Sequence, residues 1–363
     1  MCYYVYMFNI FGNNDIEIGV GLDIGHNTIK VVELRRDKEG VNIQNYGEVE
    51  LFSYAGLEMG QSVGLSNEQI AKAIKDLLEK SKIGIKNIYV SVPSIESYIF
   101  TINVKEVEGI EMSNVIDLEI RKYIPMPITE LAVDHWPISK DIDKGEMKLS
   151  VIAVNKSVID KYINIFKKAE LNILGVEMET FSAVRALNLN DKNYLLIDSG
   201  GSYTTATLII KGILYKSQTI QIGGNNITSV IKNSIMKSSY KETEILKRQL
   251  IDKEIENNSM MNIMDMSTYP LLEELGHIAE NMEREYNLII DEVIFVGGNA
   301  KACADNARIK DFFKTIVKVG SGFEKLNYPK YLVNLINRVG PSYSIACGLA
   351  LKSFIKNNES KQS

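Results

Sequence analysis

Two short turns carry the residues best suited to chemistry. In the first, Val20-Gly21-Leu22 leads into Asp23-Ile24-Gly25-His26-Asn27-Thr28, and in the second, Leu195-Leu196-Ile197 leads into Asp198-Ser199-Gly200-Gly201-Ser202-Tyr203. Each is an apolar strand closed by Asp, one further residue and Gly. The aspartates lie 198 − 23 = 175 residues apart in a chain of 363, and self-similarity at half the chain length indicates an internal duplication. Gly25 and Gly200 let the backbone fold tightly, so that successive N–H groups point at one anion, and the hydroxyls of Thr28, Ser202 and Thr204 add donors. A carboxylate meets phosphate favourably only through a cation, so Asp23 and Asp198 imply Mg²⁺, held partly through water. Facing each other, the turns clamp a polyphosphate from two sides. Gly297-Gly298, behind the apolar run 293–296, lets a flat ligand approach the backbone. Gly223-Gly224 opens a helix, whose first N–H groups and positive dipole end suit an anion. The plainer alternative is a pair of ordinary hairpin turns.

Such turns need two similar halves to hold them. Residues 17–22, 29–36 and 41–51 are rich in β-formers and broken by turn residues, which predicts three strands. Ile70, Ala73, Ile74, Leu77 and Leu78 share one face of a helix over 67–82, and a strand follows over 87–92. The rhythm then changes. Strands over 97–104, 131–138 and 146–154 alternate with helices over 113–123 and 157–169. Pro125 and Pro127 stop the first helix, and 141–145 forms a polar turn. The first pattern returns with strands over 194–198, 204–210 and 213–221, helices over 226–234 and 241–253, a loop over 254–266, a helix over 267–287, a strand over 292–296 and a helix over 342–355.

Composition narrows the classes. Hydrophobic residues make up 45% and charged residues 24% of the chain, an ordinary globular balance that allows about two domains at roughly 150 residues each. Forty-one basic against 46 acidic residues give a net charge of −5, which argues against nucleic acid as a partner. Cys2, Cys303 and Cys347 have neither disulfide nor zinc spacing, and His26, His135 and His277 lie far apart. No run of about 20 apolar residues spans a membrane. The start, 1–11, is apolar but short, and reads as a flexible tail or a weak membrane-surface contact; Met7 is an alternative start.

The residues carry a resemblance. In order, Asp23-Ile-Gly-His-Asn-Thr-Ile-Lys30, Asp198-Ser-Gly-Gly201, Gly223-Gly-Asn-Asn-Ile-Thr228, Thr243-Glu-Ile-Leu-Lys-Arg248 and Val296-Gly-Gly-Asn299 resemble the actin-like ATPase superfamily and, within it, the PilM family of type IV pilus assembly proteins, relatives of the cell-division protein FtsA. Arg121-Lys-Tyr-Ile-Pro-Met-Pro127 and Met7-Phe-Asn-Ile-Phe-Gly12 resemble further segments of that family. The resemblance covers about 16–355. It implies an α/β, actin-like (ribonuclease H-like) fold: duplicated βββαβα domains around a nucleotide cleft, with an inserted 1C-type α+β subdomain. The implied division is a flexible apolar N-terminus at 1–15, a first half at 16–96 and 172–192, the insert at 97–171, a second half at 193–355 with 2B-like helices at about 225–290, and a polar tail at 356–363.

Residue by residue, the resemblance implies ATP and Mg²⁺ as cofactors. The first phosphate loop is Asp23, Gly25, His26, Asn27 and Thr28, with Lys30 beside it; the second is Asp198, Gly200, Gly201, Ser202 and Thr204. Gly223 and Gly224 open the nearby helix, Glu244 and Lys247 reach ribose and base, and Gly297, Gly298 and Asn299 bound the adenosine pocket. Glu179 stands where relatives orient the attacking water; it equally reads as an acid at a helix N-terminus. Relatives usually have Ser or Thr where this chain has His26 and Asn27, so hydrolysis is expected to be slow or absent.

The implied role is a cytoplasmic ATP-binding scaffold of type IV pilus assembly, peripheral to the inner face of the membrane. It docks the N-terminal cytoplasmic peptide of a PilN-like bitopic membrane protein, with pilus motor ATPases as further partners. Ile99, Ile102, Val104, Ile116 and Ile120 are the expected peptide contacts; alternatively they are the insert's own core. An FtsA-like cell-division protein is the first rival, disfavoured because 354–363 has too few apolar residues for a membrane helix. A sugar- or acid-kinase-type phosphotransferase is the second, and needs a catalytic base that no isolated Asp in a suitable loop supplies.

Overall fold

The computed structural model describes residues 17–105, 111–141, 145–235 and 238–355. The expectations for the apolar start, the polar tail and the centre of the 141–145 turn lie outside these residues. The first strands are β1 (Glu17–Ile24), β2 (Thr28–Asp37) and β3 (Gly40–Glu50), followed by α1 (Asn67–Lys80) and β4 (Asn87–Val92). Ser66 caps α1, accepting from Gln69 N while the Gln69 side chain bonds back to Ser66 N, two orphan donors satisfied at once. Next come β5 (Ser97–Lys105), α2 (Met112–Ile120), β6 (Leu131–Asp141), β7 (Glu146–Asn155) and α3 (Lys156–Lys168), then β8 (Asn172–Met178) and α4 (Glu179–Leu187). The remainder is β9 (Asn193–Ser199), β10 (Thr204–Ile210), β11 (Ile213–Ile220), α5 (Gly224–Ser234), α6 (Tyr240–Ile251), α7 (Asn258–Tyr286), β12 (Glu292–Val296), α8 (Ala300–Ala304), α9 (Ile309–Phe312), β13 (Ile316–Val319), α10 (Val333–Val339) and α11 (Ser344–Lys352).

Two five-stranded sheets have the same topology: β3-β2-β1-β4-β8 and β11-β10-β9-β12-β13. In each, three antiparallel strands are extended by two parallel ones. The duplication read from the two Asp-x-Gly turns is therefore a duplication of whole sheets. The outer face of the first sheet buries Val20, Leu22 and Val31 against Ile70, Ile74 and Leu77 of α1 and Ile165 and Phe166 of α3. The corresponding face of the second buries Leu195, Ile197 and Phe295 against Leu271, Leu272 and Leu275 of α7.

Between the sheets lie α4 and α11. Ala346, Cys347 and Ala350 of α11 meet Val32 and Leu34 of the first sheet, while Ile345 and Leu349 meet Leu196 and Ile294 of the second. β1 alternates accordingly: Val20 and Leu22 face α1, and Gly19 and Gly21 face α11, where any Cβ would overlap the carbonyl oxygens of Ala350 and Ala346. A Cβ on Gly348 would likewise overlap the Ser182 carbonyl of α4. Glu177 of β8 ties the layer together, taking two bonds from Arg185 of α4 at 2.5 and 2.9 Å and one from Lys352 at 2.6 Å. Burial alone would raise its carboxyl, but those two cations hold it below its ordinary value.

The 97–171 region contributes a third sheet, β5-β7-β6, fully antiparallel. Phe100, Ile102 and Val104 share its α2 face with Ile116 and Ile120. Ile99, on the opposite face, packs on Val92, Met178 and Leu214. This corrects the reading of Ile99, Ile102, Val104, Ile116 and Ile120 as a peptide surface: all five are at most 4% exposed, because β5 and α2 spend their apolar faces on each other and on the rest of the chain. The unit also docks on the second sheet, through Ser150 Oγ to the Leu214 carbonyl at 2.6 Å, Thr101 to the Tyr286 hydroxyl at 3.1 Å, and the Lys148 ammonium over the rings of Tyr215 and Tyr286.

Of the expected loop over 254–266, only 254–257 is non-helical; 258–266 is the start of α7, which begins nine residues before the expected helix. Asn257 caps it by accepting from Met260 N at 3.1 Å, and Met260, Ile263 and Met264 pack on Ile227 and Ile231 of α5. Among the described residues, β8, β13, α8, α9 and α10 had no counterpart in the sequence reading, and α4 was anticipated only by the reading of Glu179 as a helix-terminal acid. β8 carries Gly175 in its middle, against the Tyr89 ring, and β13 is only four residues long.

Candidate functional site

The β1–β2 and β9–β10 turns are built alike. Gly25 N donates to the Thr28 carbonyl and Gly200 N to the Tyr203 carbonyl, each at 3.0 Å. A Cβ would come within 3.2 Å of the same carbonyl at Gly25 and 3.1 Å at Gly200, so the tightness of the turn itself favours glycine. The two copies differ across the ladder: Asp23 pairs with Lys30, whereas Asp198 pairs with Thr205.

Behind the turns three carboxylates lie close enough to act on one another's charge. Asp23 is buried and accepts from Ser91 Oγ at 2.8 Å. Glu179, the first residue of α4, is 3% exposed; it accepts from Ser94 N at 2.8 Å and from the Tyr203 hydroxyl at 3.4 Å. Burial, and then the Asp23 charge, push the Asp198 carboxyl up to about 7, with Lys30 pulling it back. Asp23 is raised by burial against Lys30 and Ser91. Glu179 is raised well above its ordinary value by burial, then by Asp23 and Asp198. Lys30 is the cation set among them; it bonds Thr28 Oγ1 and pairs with Glu48 at 3.8 Å. Glu179 starts a helix, as one reading of it expected, and lies within reach of the charges of both aspartates. Among the described residues, no three of His, Cys, Asp and Glu gather to hold a metal ion directly.

Several expected donors are engaged within the protein. Thr204 is fully buried and gives its hydroxyl to the Ile222 carbonyl at 2.8 Å. Its side chain points into the sheet, which corrects its assignment to the second loop's hydroxyls. The start of α5 is also spent. Gly224 N bonds the Gly200 carbonyl at 3.0 Å, Asn225 N the Gly201 carbonyl at 2.8 Å, and Asn226 N the Gly223 carbonyl at 3.0 Å. The first two fasten α5 to the second turn and the third closes α5's own first turn, so none stands free for an anion; Gly223 is required there, since a Cβ would lie 2.7 Å from the Gly201 carbonyl oxygen. Ser202 Oγ lies 3.4 Å from Asn225 Nδ2. Asn27 exchanges side-chain bonds with Asn225. His26 is exposed and meets the Tyr203 ring edge-on at 5.0 Å.

On the adenosine side, Gly297 sits at φ +91°, where a Cβ would lie 2.5 Å from Asp198 Oδ1, so left-handed backbone and close approach both demand glycine. Gly298 is exposed, with open space where its Cβ would be. Asn299 is buried and donates to the Gly200 carbonyl at 2.8 Å, joining β12 to the second turn. Glu244 and Lys247 of α6 are both buried, paired at 2.8 Å, and bonded respectively to Thr228 Oγ1 and the Gly224 carbonyl. Tyr203, Ser91, Ser94 and Asn225 were absent from the residues picked out by sequence. Tyr203 and Asn225 lie inside motifs that were recognised, so position within the motif was the available signal. Ser91 and Ser94 carry none.

A family model described as type IV pilus assembly protein PilM matches residues 21–354. The chain is 22% identical over 370 residues to the cell division protein FtsA of Bacillus subtilis (strain 168), covering 89% of this chain and 83% of that one. In three dimensions it is similar to a structure of the PilM-PilN type IV pilus biogenesis complex, with TM-score 0.76 and 18% identity over 93% of this chain and 99% of that one. It is also similar to MreB 5 of Spiroplasma citri bound to AMPPNP, with TM-score 0.50 and 13% identity over 91% and 94% of the two chains. The fold is the actin-like α/β fold.

Proposed function

The chain belongs to the PilM family of type IV pilus assembly proteins, and from that membership we propose that it is an ATP-binding scaffold of the pilus assembly machine that docks the cytoplasmic tail of a PilN-like bitopic membrane protein. The observation that carries this reading is the match to the PilM family over 21–354, joined to a fold that covers 99% of a chain from the PilM-PilN complex. No described helix is long and apolar enough to cross a membrane. Under this proposal the chain reaches the inner face of the membrane through its partner, on the cytoplasmic side, where pilus motor ATPases are further candidates for contact. In this reading residues 16–96 with 172–192 form one half, 193–355 the other, and 97–171 the inserted partner-binding unit. The peptide meets side chains that the insert leaves exposed, such as Tyr98, Leu118 and Tyr123.

ATP lies between the two turns, with Gly298 offering the open face toward the adenosine and Lys30 the cation toward phosphate. The fit to Mg²⁺ rests on the carboxylates. Asp23 and Asp198 come from opposite turns, are desolvated and repel each other, a conflict that a hydrated divalent cation relieves without a direct ligand cage. When bound, Mg²⁺ would neutralise phosphate charge. Glu179, with its carboxyl raised and one oxygen committed to Ser94 N, favours the protonated form in the ligand-free cleft, in which it accepts no proton from water. That supports slow or absent hydrolysis and ATP as a ligand that holds the closed state by mass action.

The test uses the full chain. Fluorescence anisotropy with a labelled peptide copying the N-terminal cytoplasmic tail of a PilN-like protein from the same organism is expected to show saturable binding near micromolar. Calorimetry with ATP and MgCl2 is expected to show one site. No binding of the tail overturns the scaffold reading, and no heat with ATP overturns the nucleotide reading.

A further inference from the structure

The side chain standing between the two turns is that of Asn27. Its Nδ2 donates to Asn225 Oδ1 at 2.6 Å, and Asn225 Nδ2 returns the bond to Asn27 Oδ1 at 3.2 Å. Asn225 Nδ2 also lies 3.2 Å from Ser62 Oγ and 3.4 Å from Ser202 Oγ. A Cβ on Gly201 would be 2.5 Å from Asn27 Nδ2, so the carboxamide is pressed against the backbone of the second turn.

One partner belongs to the β1–β2 turn of the first sheet and the other to the first turn of α5, so the pair spans the cleft. It heads a continuous seam. Leu51 N bonds the Asn27 carbonyl at 2.8 Å, and the neighbouring Glu50 takes Arg248 Nη1 of α6 at 2.6 Å. Gly60, at φ +90°, lies so close to Thr228 and Glu244 that a Cβ would be 3.1 and 3.2 Å from their side chains. The Asn27–Asn225, Ser62–Asn225, Glu50–Arg248 and Gly60 contacts join residues 27–62 to α5 or α6, and the Leu51–Asn27 bond ties the first-sheet side of the seam to itself.

We propose that Asn27 and Asn225 are the gate of this cleft. Their paired carboxamides hold the halves together, and a phosphate-class anion gains the space between the turns only by displacing the pair. The proposal deepens the nucleotide reading above and rests on it. The pair is neutral, so exchanging it for charge-assisted contacts is favourable for a ligand carrying several negative charges and unfavourable for an uncharged nucleoside. A ligand that must first open a closed site binds with its affinity reduced by the fraction of molecules already open. A gate therefore differs from a ligand contact in sign: removing a contact weakens binding, and removing a gate strengthens it.

The experiment compares wild type, Asn27→Ser and Asn225→Ala, all as full chains. A serine keeps a polar residue at the turn but is too short to reach Asn225. Calorimetry measures ATP with MgCl2, and hydrogen exchange on the ligand-free proteins follows segments 51–66 and 224–234. Both variants are expected to bind ATP roughly tenfold tighter, the scale of a pair of neutral hydrogen bonds, and to exchange faster in both segments without ligand. Weaker binding by either variant overturns the proposal, because the carboxamides are then ligand contacts. Unchanged exchange together with unchanged affinity also overturns it, because the pair then holds nothing closed. No ATP binding by any of the three overturns the nucleotide reading itself, whatever the exchange shows.

Discussion

Asp198 is where burial and charge conflict most openly. Its carboxyl stands near 7 against an ordinary 3.8, so the folded chain keeps a proton that the unfolded chain releases as pH rises from about 4 to 7. The stability this confers is complete below the unfolded value and lost as pH rises through 7. Asp198→Asn, neutral and nearly isosteric, is expected to stabilise the ligand-free protein at pH 8 by about 1–3 kcal/mol, with a smaller gain at pH 5 and little at about pH 3.5, below the unfolded value; urea unfolding across these values checks this. The same change should weaken binding of ATP with Mg²⁺ ten- to a hundredfold, the loss of one charge-assisted contact of roughly 1.5–3 kcal/mol. At this scale the residues naming the site were legible, because Asp and Gly are recognisable wherever they fall. Where each hydroxyl points was not. Thr204 and Ser202 lie two positions apart, yet one bonds inward to the Ile222 carbonyl and the other reaches the cleft. Only the register of β10 decides between them.

α6 shows how an element can serve the site by being internally satisfied. Lys247 is fully desolvated, which lowers its ammonium against the opposing pull of Glu244, and Glu244 also takes Arg248 Nε at 3.0 Å. Lys247→Met leaves a buried carboxylate with a single, half-exposed cationic partner beside the Thr228 hydroxyl and should cost about 3–5 kcal/mol, the range for breaking a buried pair from one side. Arg248→Ala, at a side chain 48% exposed, should cost under about 1 kcal/mol. Equilibrium denaturation separates the two. In α11 two effects oppose each other. Gly348→Ala gains about 1 kcal/mol of helix propensity but drives a methyl into the Ser182 carbonyl, and overpacking of that kind typically costs about 1–3 kcal/mol or more. Net destabilisation is expected, seen as a lower urea midpoint.

Elements with strong periodicity, such as α1 and the antiparallel strands, could be read from the chain because their pattern is local. β8 could not, since Gly175 interrupts its apolar run for the sake of the Tyr89 ring. The first turns of α7 escaped because polar residues lie between the methionines that bury against α5.

The whole molecule is two matched sheets closed on a shared helical layer and seamed along one edge of the cleft, an arrangement suited to holding a ligand more than to cycling through it. Steady-state turnover of ATP is expected below about 1 s⁻¹, the low end for enzymes, with a coupled phosphate-release assay as the check; faster turnover would contradict the use of ATP as a structural ligand. The position of α11 has a separate consequence for biosynthesis. β1 leaves the ribosome ahead of every other described element, and the glycines at 19 and 21 reserve one face of it for a helix that begins at Ser344. Until that helix emerges, more than three hundred residues later, the central strand of the first sheet has one side without its partner. At about 5–20 residues per second, the nascent chain spends some tens of seconds in that state. The N-terminal half therefore cannot mature ahead of the C-terminal one, and the demand for chaperone protection during synthesis falls on the half that is made first.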